Sequence, residues 1–159
     1  MIRLQTVRWK NFLSTGNQFL EVKLDQETMT LVVGKNGAGK STLIDAITFS
    51  LFGKPFKKIN KIQLLNTVNE HDLVTEIEFM VGKTQWKIRR GIKPALFEIY
   101  NNDKLVNQDA KSMDYQKYLE DKVLKLNFKS FTQIVVLGSA SFVPFMQLSA
   151  NDRRVIIED

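Results

Sequence analysis

Hydrophobic and polar residues alternate over much of the first hundred positions, and alternation at a period of two predicts strands. Ile2 to Trp9 reads as the first, with Ile2, Leu4 and Thr6 on one face. Asn11 to Asn17, with Ser14, Thr15 and Gly16, reads as a turn. Gln18 to Leu24 alternates Phe19, Glu21 and Lys23 against Leu20, Val22 and Leu24. Met29 to Val33 is a short apolar run ending in two valines, which predicts a buried strand. The period then changes. Leu43, Ile44, Ile47 and Leu51 recur at helical spacing, so a helix is expected from Lys40 to Phe52, stopped by Gly53 and Pro55.

Period two returns after a lysine-rich loop, Lys54 to Lys61. Leu73 to Val81 and Thr84 to Arg90 predict an antiparallel pair turning at Gly82. Leu73, Thr75, Ile77, Phe79 and Val81 share one face, opposite Glu76 and Glu78; Trp86 and Ile88 share another, opposite Lys87 and Arg89. Ala95 to Tyr100 is a third strand, and Lys104 to Val106 returns past an Asn-Asn-Asp turn. Ser112 to Leu126 reads as an amphipathic helix with a stripe of Tyr115, Tyr118, Leu119, Val123 and Leu126. Phe131 to Leu137 is expected to be a strand, and Gly138 to Phe142 a loop. Ser149, three residues before Asp152, predicts a capped helix start. That last helix runs to Asp159 without a stop signal, so the expectation is a fragment of a longer protein.

Composition narrows the chemistry. The chain of 159 residues has no cysteine and one histidine, His71, which excludes disulfides and any cysteine-built metal or nucleophilic site. No apolar run approaches the roughly 20 residues of a membrane span, and the first ten residues lack a signal-peptide core. A cytoplasmic protein with no membrane partner is expected. The net charge of +6 is weighted toward the second half and is compatible with a nucleic-acid partner.

One motif outranks the rest. Gly34-Lys35-Asn36-Gly37-Ala38-Gly39-Lys40-Ser41 matches the full P-loop pattern, with an apolar run before it and a helix after it. Glycines let consecutive amides converge on anionic oxygens, and the helix N-terminus adds positive potential. Lys40 is placed to reach the β and γ phosphates and Ser41 to put its hydroxyl on magnesium. Asn36, Gly37, Ala38 and Gly39 form the cradle; Thr42 is an early helix residue within reach of the α phosphate. ATP and Mg2+ are the expected cofactors. The only apolar run followed by paired acids, Ile156-Ile157-Glu158-Asp159, follows a helical pattern and reads as a solvated face. A general base is therefore unidentified.

The ordered segments resemble a known family. Trp9-Lys10-Asn11-Phe12, Val33 to Thr42, Leu51-Phe52-Gly53-Lys54-Pro55-Phe56, Phe131 to Gly138, Phe145-Met146 and Leu148-Ser149 before Arg153-Arg154 look like the N-terminal half of an ATPase head of the Rad50/SbcC type. The phage form of that family is the most similar. The resemblance implies an α/β fold: a P-loop NTPase of the ABC-ATPase kind, with a mixed sheet, an antiparallel β lobe and a P-loop helix, spanning residues 1–159. It implies that Gln133 contacts magnesium and the attacking water; the residues alone would make Gln133 a polar group at a strand edge. It places Arg8, Lys10, Asn11 and Phe12 near the base or α phosphate, with Lys61 and Ile62 approaching the nucleotide. The family's signature motif, second acidic motif and switch histidine lie downstream of a coiled coil, and none is present here. His71 is no substitute and reads as a surface turn residue. The family also implies a second copy of the head as a dimer partner, a nuclease subunit of the Mre11/SbcD type, and double-stranded DNA.

Lys83, Lys87, Arg89, Arg90 and Lys93 form a run of cations with no intervening acid, a candidate for DNA phosphates or a solvated hairpin. Two other classes stay open. A small kinase or GTPase would turn over nucleotide alone, although the guanine-selecting Asn-Lys-x-Asp pattern is absent. A structural ATPase of the chromosome-compaction type would share the head but control no nuclease.

Overall fold

The computed structural model describes residues 2–106, 112–136 and 143–158. The chain divides into two compact units, Met1–Asp109 and Ala110–Asp159.

The first unit is an antiparallel sheet with one long helix on it. Its strands are β1 (Ile2–Lys10), β2 (Leu20–Lys23), β3 (Leu73–Val81), β4 (Thr84–Ile92), β5 (Leu96–Asn101) and β6 (Lys104–Leu105), in the order β2-β1-β3-β4-β5-β6. Between β2 and β3 runs helix α1, Lys40–Phe52, which packs on β1, β3 and β4. Ile77, Phe79 and Ile88 are fully buried, as the alternation predicted, and Ile99 joins them. The first strand departs from its expected facing. A bulge shifts the register between Leu4 and Thr6, so Leu4 faces inward opposite Phe79, but Val7 and Trp9, not Thr6, are buried beyond it. Gly82, at φ 61°, makes the tight turn between β3 and β4.

Helix α1 begins after Gly39 and stops at Gly53, whose left-handed φ of 67° lets its N–H return to the Phe49 carbonyl. Its core contacts are Ala46, Phe49, Leu51 and Phe52, while Leu43, Ile44 and Ile47 are only half-buried. Thr48 and Ser50 are buried too. Their hydroxyls donate to the Ile44 and Ala46 carbonyls one turn back, so neither hydroxyl is stranded.

The run Met29–Val33 overturns its expectation. It pairs with no strand among the described residues, and Met29, Leu31 and Val33 are 88%, 84% and 77% exposed. Apolar composition does not hold a strand without neighbours for its N–H and C=O groups. All the pairings described are antiparallel, so the parallel pairing that a mixed sheet implies is absent among the described residues. The antiparallel lobe and the P-loop helix are both present.

In the second unit, helix α2 (Ser112–Tyr118) continues into a π-helical turn, Leu119–Leu124. The changed winding brings Leu124 into the buried stripe with Tyr115, Leu119 and Val123, and leaves Tyr118 exposed and Leu126 half-buried. The strand expected at Phe131 to Leu137 is instead helix α3, Phe128–Ile134. Asn127 explains it: its side chain accepts from the Lys129 and Ser130 amides at 2.8 and 2.9 Å, an N-cap that outweighs the β-branched Ile134 and Val135. The loop expected at Gly138 to Phe142 lies outside the described residues. Helix α4, Ala150–Glu158, starts as predicted, with the Asp152 amide donating to the Ser149 hydroxyl. The side chains of Lys129 and Asp152 form an ion pair. With Ser149, Lys129 holds the Asp152 carboxyl below its usual range.

Candidate nucleotide-phosphate site

The loop from Gly34 to Gly39 is shaped by its glycines. Gly37 and Gly39 sit at φ 84° and 87°, a region that side chains disfavour. At Gly34 a Cβ would lie 3.2 Å from the Ala38 Cβ, so only glycine closes the loop without displacing its neighbour. The Lys40 ammonium lies across the loop and donates to the Gly34 and Lys35 carbonyls at 2.5 and 2.8 Å.

Two cavities flank this loop. The more polar has a volume of about 380 Å³ and is lined by Asn36, Gly37, Gly39, Lys40, Ser41 and Thr42, facing Leu13, Ser14 and Lys57. The other, about 560 Å³, is walled by Trp9, Leu20, Val22, Leu31, Val32, Val33 and Leu43, with Ser14, Thr15 and Ala38 to Lys40 at its rim. The polar cavity gathers the P-loop residues Asn36, Gly37 and Gly39, the start of α1, Lys40 and the hydroxyl-bearing Ser41 suited to magnesium, the groups a phosphate chain calls on. Among the described residues there is no cluster of His, Asp and Glu able to hold a metal without a phosphate.

The other expected contacts sort differently. Asn11 and Phe12 are fully buried. Asn11 donates to Asn17 Oδ1 and the Asp72 carbonyl and accepts from Asn69, while Phe12 packs on Phe49 with ring centroids 5.9 Å apart. Asn66 extends the lock by donating to the Leu13 and Thr15 carbonyls. These residues hold the Leu13–Thr15 segment against the P-loop rather than lining either cavity themselves. Arg8 pairs with Glu76 and lies over the Phe19 ring at 5.0 Å; Lys10 pairs with Asp72. The Lys61 ammonium sits 5.8 Å from the Phe49 ring centre. Burial, and then the Arg90 charge, lower its pKa. Lys61 and Ile62 line neither cavity. Gln133 is half-buried on α3, in the second unit. His71 is exposed, as expected.

The cationic run of the hairpin does not form one surface. Arg90 is buried: it donates to the Ser50 and Leu51 carbonyls at the end of α1 and stacks on Phe97 at 3.6 Å. The β4 alternation that turns Trp86 and Ile88 inward turns Arg90 inward with them. Arg89 bridges Glu76 and Glu98 at 2.6 and 3.0 Å. Lys87 meets Glu78 at 2.8 Å, and that hydrogen bond raises its pKa. The acids come from neighbouring strands, which a reading along the chain does not reveal. Lys83 and Lys93 are exposed, with no carboxylate partner among the described residues.

Three lining groups were not anticipated. Leu13 and Ser14 stand in a segment read only as a turn, and Lys57 in the lysine-rich loop, of which only Lys61 was expected to approach the nucleotide. Their signal was position: Leu13 and Ser14 directly follow Asn11-Phe12, and Lys57 follows the P-loop helix.

The family described as AAA domain matches residues 6–158. The chain belongs to that family. The exonuclease subunit 2 of Enterobacteria phage T4 is 43% identical over 157 residues, covering 99% of this chain and 28% of that protein. A probable DNA double-strand break repair Rad50 ATPase of Aquifex aeolicus is 25% identical over 133 residues, 80% of this chain and 13% of its own length. The chain thus spans little more than a quarter of the phage relative it matches. Among solved structures, an Smc head bound to the C-terminal winged-helix domain of ScpA aligns at TM-score 0.66 and 19% identity, over 98% of this chain and 50% of that one. These matches bear out the Rad50-type resemblance and the ATPase-head fold. No helix among the described residues is long and apolar enough to cross a membrane.

Proposed function

We propose that the chain binds ATP with magnesium through Asn36, Gly37, Ala38, Gly39, Lys40, Ser41 and Thr42, as the N-terminal half of the ATPase head of a DNA recombination and repair nuclease. The observation that carries this is the polar cavity at the start of α1, lined by Asn36, Gly37, Gly39, Lys40 and Ser41. Lys40 leaves its two loop carbonyls for phosphate oxygens, exchanging neutral acceptors for charged ones. Magnesium, when bound, neutralises charge on the β and γ phosphates. Hydrolysis is in-line attack of water on the γ phosphorus, with ADP leaving; Gln133 orients that water or the metal. The base and the rest of the charge stabilisation come from outside this chain, so residues 1–159 alone do not turn over ATP.

Two observations support an incomplete head: the chain covers 28% of its phage relative, and Met29–Val33 exposes an apolar run beside the P-loop. A downstream half supplies strands to that run, and two completed heads close around two ATP molecules. The closed dimer controls a nuclease subunit of the Mre11/SbcD type acting on double-stranded DNA, in the cytoplasm of the host cell. Lys83 and Lys93 are the hairpin cations free to meet DNA phosphates, with Lys87 and Arg89 reachable only by exchange of their carboxylates.

Calorimetric titration of the purified protein with MgATP tests the site. Saturable binding that Lys40→Ala removes is the expected result. Equal affinity in that variant overturns the assignment.

A further inference from the structure

Asp45 is the fully buried carboxylate of the P-loop helix, four residues after Ser41 and so on the same helix face. A buried carboxylate is costly unless paired. Its Oδ1 accepts the Lys57 backbone N–H at 2.9 Å, and its Oδ2 lies 3.4 Å from the Lys57 ammonium. That Oδ2 receives no hydrogen bond within the described residues. The firm attachment is thus to the Lys57 main chain, and the ammonium is loosely tethered and about half exposed.

This tether has a direction. Lys57 lines the polar cavity with Asn36, Gly37, Lys40 and Ser41. The other lysines of its loop, Lys54, Lys58 and Lys61, do not. An ammonium carries three donors. Asp45 engages at most one, which leaves two for oxygens in the cavity.

We infer that Lys57 is a second phosphate-contacting cation of the nucleotide site, held at the cavity wall by Asp45. This rests on the nucleotide reading given above. Asp45 is a positioning residue: it fixes the Lys57 main chain, which in turn carries the ammonium to the phosphates. The phosphate chain then lies between two lysines, Lys40 from the loop and Lys57 from the segment beyond α1.

The test is MgATP titration of the full-length protein and its Lys57→Ala, Lys57→Arg, Lys58→Ala and Lys40→Ala variants, each with its nucleotide-free Tm. A charged hydrogen bond contributes enough that Lys57→Ala weakens MgATP binding about tenfold. The nucleotide-free Tm falls in Lys57→Ala because the buried Asp45 loses its counter-charge, Lys57→Arg regains most of the affinity, and Lys58→Ala binds like wild type. Unchanged affinity in Lys57→Ala overturns the inference. So does a loss that Lys57→Arg shares, which marks a packing role, or one that Lys58→Ala matches, which marks diffuse loop charge. Wild-type protein that binds no MgATP overturns the nucleotide reading itself, whereas binding lost in Lys40→Ala and kept in Lys57→Ala overturns only the role of Lys57.

Discussion

Two apolar runs of the first unit have the same kind of residue and opposite fates. In β3, Leu73, Ile77 and Phe79 are buried, with β1 on one edge and β4 on the other. In Met29–Val33, equally apolar side chains stand in solvent, and no strand flanks them among the described residues. Side-chain hydrophobicity is comparable, so it is not what separates them. Backbone pairing is: a strand needs acceptors and donors on its edges before its side chains can share a core. The sheet is therefore the part that holds this unit together, and the P-loop with its leading run is the part to which the proposed function assigns the chemistry. Variants should divide along that line.

The largest expected effect is in the sheet. Ile77→Ala removes a fully buried side chain and should cost about 2–5 kcal/mol in denaturant unfolding. Much less than that would mean the sheet is not the stabilising element. Next comes Lys40→Ala, which should abolish saturable MgATP binding, a loss of more than about a hundredfold, through loss of several charge-assisted hydrogen bonds. Its half-exposed side chain donates only to loop carbonyls, so the unfolding midpoint should barely move. A large drop in that midpoint would erase the division.

Asn11→Ala probes the seam between the two regions. Asn11 ties the end of β1 to Asn17, Asn69 and Asp72, and the segment it steadies carries Leu13 and Ser14 to the polar cavity. Removing it strands buried donors and acceptors, which costs about 1–3 kcal/mol. Affinity for MgATP should fall along with stability, unlike either variant above. Stability loss with unchanged affinity would show that the Leu13–Thr15 segment holds its place without the asparagine lock.

The sheet was legible because period-two alternation reports directly on which face is buried. β3 and β4 followed it at Ile77, Phe79, Trp86 and Ile88, but Glu76, on the face expected to be wet, is buried between Arg8 and Arg89. β1 did so only up to its bulge, since one extra residue reverses the facing and nothing in Leu4-Gln5-Thr6 announces it. The run Ile134 to Leu137 predicts a strand by composition, whereas the helix α3 there is set by the Asn127 side chain accepting from the Lys129 and Ser130 amides, a contact that composition does not report. The P-loop was legible because its geometry depends on glycine and lysine at fixed spacing. Its surroundings were not. Arg90 and Glu76 acquire their roles from partners on other elements, and Lys57 from a helix twelve residues earlier. Charge read along the chain made Arg90 a surface cation; register made it a tie between β4 and α1.

The smallest expected effect is the most informative about the exposed run. Leu31→Ser removes an apolar side chain that is already in water, so no core contact is lost in the 159-residue chain. Substitutions at such positions usually change stability by no more than about 0.5 kcal/mol. In the full-length protein the same change should cost more, on the order of 1–3 kcal/mol, if a downstream strand covers the run and buries Leu31. Unfolding measured on both forms gives the difference between the two losses. A difference near zero would leave Met29–Val33 a solvent-facing approach to the P-loop in both proteins and would remove the main structural support for an incomplete sheet. A loss in the short chain as large as that of Ile77→Ala would break the comparison itself, because the run would then already be part of the core.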